Sequence, residues 1–159
     1  MLFRSGIIAA IAVPGLLRAS MSGNEASAIG SVRAINSGEA TYAAACGGGG
    51  YATSLDDLAT QPTAGGASFI SPDLNANDVE KSGYKFSVAA GDDAEDVLAD
   101  SATCNSTASK SEYFVAGTPI TPGSTGGRAF GSDERGTIYQ DLAGDALTDA
   151  TLSDGVILQ

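Results

Sequence analysis

Histidine and tryptophan are missing from this chain of 159 residues, and Lys and Arg together number 8 against 19 Asp and Glu. Without His the chain lacks the side chain that most often serves as a general base near neutral pH and most often ligates metal. A formal net charge of −11 excludes the basic face that nucleic-acid binding requires, and it disfavours docking on anionic lipid headgroups. Five Tyr and five Phe are the whole aromatic stock; a core uses most of them, leaving too few to build sugar-binding platforms. No Ser or Cys has a base partner. The many carboxylates are scattered through Gly-rich polar stretches, where they stay ionised and solvated. The chain is therefore not expected to be an enzyme: no catalytic residue is assigned, and no cofactor is expected.

What is present is enough for one domain with a real core. Gly contributes 21 residues, with Ser, Thr, Ala and Asp plentiful, the composition of a secreted or surface-exposed bacterial chain. Two cysteines, Cys46 and Cys104, allow a single intramolecular pairing in an oxidising compartment. Such a closure stabilises by roughly 4 kcal/mol in the chain-entropy model. The alternative is two unrelated buried thiols. Neither a CxxC pair nor a third thiol points to zinc or redox chemistry.

The most informative stretch is residues 6–17, "GIIAAIAVPGLL", which has no charge and no strong polar group. It is too apolar to open an ordinary soluble domain, yet shorter than the run of about 18 residues that spans a bilayer. From Arg18 to Cys46 no proline occurs, and the sequence predicts a helix. One stripe collects Met21, Ala28, Ile29, Val32, Ile35, Tyr42, Ala43 and Cys46, interrupted by Glu25 and Glu39; it is expected to pack on the chain's own domain. The opposite face carries Gly23, Ser27, Gly30, Ala34, Ser37 and Thr41. A surface helix in water normally places Lys, Glu and Arg there, whereas small residues at this spacing admit a second helix at close range. Joined to the apolar run, the helix is expected to extend from about Gly6 to about Ala45, on the order of 60 Å. Its apolar end must then project beyond the domain. Pro14 and Gly15 are expected to bend or locally melt it.

"GIIAAIAVPGLLRASMSGNEASAIGSVRAINSGEATYAAAC" closely resembles the N-terminal helix of bacterial type IV pilins and type II secretion pseudopilins. The apolar run, the Pro of "AVP", the "LLRA" and the "NEASAIGS" phrase carry the likeness, over about 40 residues. A second, weaker likeness lies in "VAGTPITPGSTGGRAFGSDERGTIY", similar to the head-domain ending of a pilin-like subgroup. The resemblance implies an α+β fold and a structural filament subunit that assembles through its N-terminal helix. It implies copies of itself or homologous pilins as partners, and inner-membrane lipid before assembly. The place of such a subunit is the inner membrane first and then a cell-surface filament. The alternatives are a pseudopilin in a periplasmic pseudopilus, or a minor pilin or adhesin-type binding module. Family members carry a basic leader ending in Gly, then Phe-Thr-Leu-Ile-Glu; here only "MLFRS" precedes Gly6, and the start is read as truncated.

Residues 1–17 are thus read as a remnant of the assembly helix, 18–46 as its amphipathic second half, and 47–159 as a globular head. "CGGGGY" ends the helix and is read as a flexible linker. "TSLDDLA" predicts a short helix capped by Ser54, within a loop region spanning 47–83. The sheet is placed at 84–140: "GYKFSVAAG", "SEYFVAGTP", "GRAFGS" and "GTIYQ" predict four strands, with a turn at "DERG" from Asp133 to Gly136. The expected architecture is a long helix on a four-stranded antiparallel meander. Residues 91–111 form an acidic insertion whose Asp92, Asp93, Glu95 and Asp96 are a weak calcium candidate; a solvated loop is the commoner outcome. Residues 141–159 are read as a C-terminal tail.

Overall fold

A computed structural model describes the backbone of residues 4–158 and the side chains of residues 14–158. Helix α1 (Arg4–Ala45) is one continuous element of 42 residues that contains Pro14. At 1.5 Å per residue it is about 63 Å long. The helical backbone runs through Pro14 and Gly15, so the local melting expected there is not present. The side chains of residues 6–13, most of the uncharged run, lie outside the described residues.

The expectation of an α+β fold with a long N-terminal helix holds, but the sheet is larger than a four-stranded meander. Four strands stand where sequence placed them: β2 (Tyr84–Ala90), β5 (Tyr113–Pro119), β6 (Ala129–Asp133) and β7 (Ile138–Asp141). The sheet extends at both ends with β1 (Val79–Lys81) and β8 (Val156–Ile157), giving the antiparallel order β1-β2-β5-β6-β7-β8. Strand β1 forms because Ser82 and Gly83 both take positive φ, at 50° and 75°. That is the twist of a two-residue hairpin, and it pairs Lys81 with Tyr84. The acidic insertion is also not all loop: β3 (Asp96–Leu98) and β4 (Ser109–Lys110) make a separate two-stranded sheet.

Alternation along the central strands divides the interior in two. On the helix side of the sheet Tyr84, Phe86, Val88, Tyr113, Val115, Phe130 and Ile138 meet Ala28, Val32, Ile35 and Tyr42 of α1. On the other side, Phe114 packs with Leu147 and Leu152, with Ala116 and Tyr139 at the margin. The residues read as a tail therefore cover the outer face of the sheet and add a strand to it.

The exit from α1 is tightly built. The Cys46 and Gly47 N–H groups both donate to the Tyr42 carbonyl at 2.8 Å, and the Gly49 N–H donates to the Ala43 carbonyl at 2.9 Å. A Cβ on Gly47 would stand 2.2 Å from the Gly50 carbonyl oxygen and 2.7 Å from the Tyr42 ring. One on Gly50 would stand 2.8 Å from both Ser109 Oγ and Val97 Cβ. These glycines are selected by close approach, and the run is a packed connector where a flexible linker was expected. Beyond it, α2 (Leu55–Ala59) is capped as predicted, with the Asp57 N–H donating to Ser54 Oγ at 3.1 Å.

Candidate assembly interface

Helix α1 faces two environments. From Met21 onward its apolar stripe packs against the head: Ala28, Val32, Ile35 and Tyr42 have no exposed surface, Cys46 is buried, and Met21, Ile29 and Ala43 are half-buried. Upstream, every residue from Pro14 to Ser20 is exposed, with Leu16 at 71% and Leu17 at 47%. The other described residues leave these residues exposed.

The small-residue face stays open over nearly its whole length. Gly23, Gly30, Ala34, Ser37 and Thr41 are exposed, and a Cβ on Gly23 or Gly30 would meet nothing within 4 Å. Ser27 departs from the expectation: it is half-buried, and its hydroxyl donates to Ser82 Oγ in the β1–β2 turn at 3.0 Å. The face widens through Ser22, Ala26, Ala40 and Ala44, all exposed, so Arg33 is the only charged residue exposed on α1 between Ser22 and Ala45. Toward the C-terminal end, Ala34, Ser37 and Thr41 form one wall of a groove of about 600 Å³, with Gln61, Phe69 and Pro72 among the residues opposite. Gly38 lets that wall form, because a Cβ there would stand 2.7 Å from the Phe69 carbonyl oxygen.

Glu25, one of the two acids interrupting the buried stripe, fastens the helix to the sheet. Arg128 donates to Glu25 Oε2 from Nε at 2.9 Å and from Nη2 at 2.7 Å, and the Gly127 N–H donates to Oε1 at 2.8 Å. Burial works to raise the Glu25 carboxyl. The Arg128 and Gly127 hydrogen bonds and the Arg128 charge outweigh it and hold the group below the usual carboxylate range. Arg128 also donates to Gln140 Oε1 at 2.7 Å and lies 5.5 Å from the centre of the Phe130 ring. Further along, Asn36 Nδ2 donates to Ser132 Oγ at 2.8 Å, and Asn36 Oδ1 accepts from the Tyr113 hydroxyl at 3.0 Å. A carboxylate inside an apolar stripe is the sequence signal for such a partner, but the identity of Arg128 needed the fold.

Cys46 and Cys104 are joined, with 4.9 Å between their Cα atoms, so the bridge rather than the pair of thiols is what the fold contains. It pins the acidic insertion to the end of α1, and three further contacts reinforce it. The Tyr42 hydroxyl donates to the Thr107 carbonyl at 3.1 Å, Asn105 Nδ2 donates to the Asp57 carbonyl at 2.9 Å, and the Thr63 N–H donates to the Cys104 carbonyl at 2.8 Å. Asn105, the first residue of an Asn-Ser-Thr triplet, is 3% exposed and spends its side chain on these contacts.

The calcium candidates are not gathered into a site. Asp96 pairs with Lys110 at 2.6 Å, and the Glu95 N–H donates to Ser111 Oγ at 2.9 Å. Asp92 and Asp93 turn instead toward Glu112, Glu134 and Asp149, in a shallow depression that Arg135 partly neutralises through Asp133. Partial burial and the neighbouring Glu134, Asp93 and Asp149 raise the Glu112 carboxyl. Among the described residues no group of three or more His, Cys, Asp or Glu side chains is placed to hold a metal ion, and no helix is long and apolar enough to cross a membrane.

No family model, no curated protein and no solved structure matches this chain.

Proposed function

We propose that the chain is a structural subunit of a pilus-like filament that assembles through α1. The supporting observation is the division of that helix: one face buried or half-buried against the head, the other an exposed band of Gly, Ala, Ser and Thr. The band leads back to Leu16 and Leu17, which the subunit leaves uncovered. Gly, Ser and Thr lower helix stability in water relative to Ala, and small residues gathered on one face admit a partner that approaches closely. Copies of the chain supply that partner in this reading, packing helix on helix with the heads outside. Repetition of one heterologous contact grows an open-ended fibre. Inner-membrane lipid covers the apolar run before assembly, and the finished fibre stands at the cell surface.

Gly30→Leu tests this reading cleanly, because Gly30 is exposed and a Cβ there meets nothing within 4 Å. The variant is expected to melt at or above the wild-type temperature while yielding no filaments in electron micrographs. Filaments at wild-type yield would overturn the proposal.

A further inference from the structure

Glu39, the second acid in the buried stripe, has no counterpart to the Arg128 clamp. It has no exposed surface, its Oε2 accepts one hydrogen bond from the Ala52 N–H at 2.8 Å, and its Oε1 has no partner. A buried carboxyl with half its hydrogen-bonding capacity unused is costly when neutral and far more costly when charged. The groups that face it make ionisation harder still. Asp57 of α2 opposes it with like charge. Tyr42 of α1 and Tyr113 of β5 sense its charge and are themselves raised, chiefly by burial. Tyr51, from the segment after the glycines, packs on Tyr113 with the rings tilted by 54° and their centres 4.9 Å apart. No cation acts on Glu39 among the described residues. Burial above all, with Asp57, raises its carboxyl to about 8, against the lowering effect of the Ala52 hydrogen bond.

The location gives this chemistry a mechanical meaning. The Glu39–Ala52 bond ties the segment leaving the glycine connector back onto α1, one residue beyond the point where Tyr51 bridges to Lys110. We propose that Glu39 is a proton-operated latch: protonated, it holds residues 51–53 against α1; ionised, it releases them to water while the Cys46–Cys104 bridge keeps helix and head joined. The latch is independent of the filament reading, since every group in it lies within one subunit.

The sign follows from linkage. With residues 51–53 released, Glu39 ionises in the ordinary carboxylate range, and in the closed form it keeps its proton to about pH 8. Closure is therefore fully favoured below the ordinary carboxylate range and is progressively lost as pH rises toward 8. The experiment is hydrogen exchange of the Ala52 amide, corrected for the intrinsic rate, in the oxidised full chain and in Glu39→Gln. Between about pH 5 and about pH 8 the wild-type opening equilibrium is expected to rise about tenfold per pH unit, and that of the glutamine variant to stay flat. Parallel profiles, or a flat wild type, would overturn the latch. Should the variant not fold, a carbon-13 titration of the wild-type carboxyls decides: one glutamate titrates near pH 8, and the proposal fails if every glutamate titrates in the usual range.

Discussion

Between Met21 and Cys46 a single helix presents two surfaces made of different materials. The side facing the sheet is filled by Val32, Ile35 and Tyr42, and of its two acids Glu25 is half-buried and clamped while Glu39 is fully buried and orphaned. The side facing solvent has almost nothing larger than Thr and almost no charge. A helix that served only to cover its own sheet would need the first surface and would gain solubility from a charged second one. The second surface here gives up the solubility that charge would lend, and at Gly23, Gly30, Ser37 and Thr41 it gives up helix propensity too. The difference teaches that nothing in the subunit's own packing calls for such an outer face, and in the filament reading proposed above neighbouring copies supply the reason for it.

Substitutions on the two sides should therefore differ in sign as well as in size. The largest effect is expected for Ile35→Ala, which leaves a cavity under the sheet. A loss of about 3 kcal/mol, or about 6–12 °C in melting temperature, should appear in thermal denaturation of the head. A loss below about 1 kcal/mol would mean that this side is not the one the core depends on. Next comes Glu25→Gln, with an expected cost of about 1–2 kcal/mol at neutral pH from the weakened Arg128 and Gly127 contacts. Because the Glu25 carboxyl is depressed in the fold, its contribution is present above the ordinary carboxylate range and is lost as pH falls through its folded value. Melting temperature should thus fall less steeply on acidification in the variant than in the wild type, and coincident acid profiles would remove the clamp from the account. The smallest effect, and the opposite sign, is expected for Gly30→Ala. It should stabilise the monomer by about 0.5–1 kcal/mol, since alanine restricts the unfolded chain and touches nothing when folded. A destabilised monomer would show that Gly30 already has a neighbour within its own subunit.

The sequence carried the helix and the four central strands because each rests on a local signal. A 3.6-residue stripe runs through Ala28, Val32 and Ile35; Tyr84, Phe86 and Val88 alternate; and Gly136 closes its turn on Asp133 with φ at 73°. The edge strands escaped because they are too short to show a period. Strand β1 exists through the Ser82–Gly83 turn, and β8 exists only because Leu147 and Leu152 first lay the tail across the outer face. Gly47 and Gly50 were misjudged for a related reason. A glycine selected by a neighbour's proximity looks in sequence like one selected for freedom, and only Tyr42, Val97 and Ser109, brought in from elsewhere, tell the two apart. At the interface, five of the six small residues were legible as an open face, while Ser27 was claimed by a turn that sequence had not placed. Glu39 stood out as an interruption of the stripe, but its missing partner could be recognised only with the surroundings in place.

The crosslink at Cys46 has a further bearing on how the molecule would respond to load. A pull along α1 passes directly into Cys104 through covalent bonds, so residues 47–103 lie on a side branch outside the line of tension. Stretching the rod cannot unravel that branch until the sulfur bridge is broken, and reduction would convert a stiff coupling into a long extensible tether.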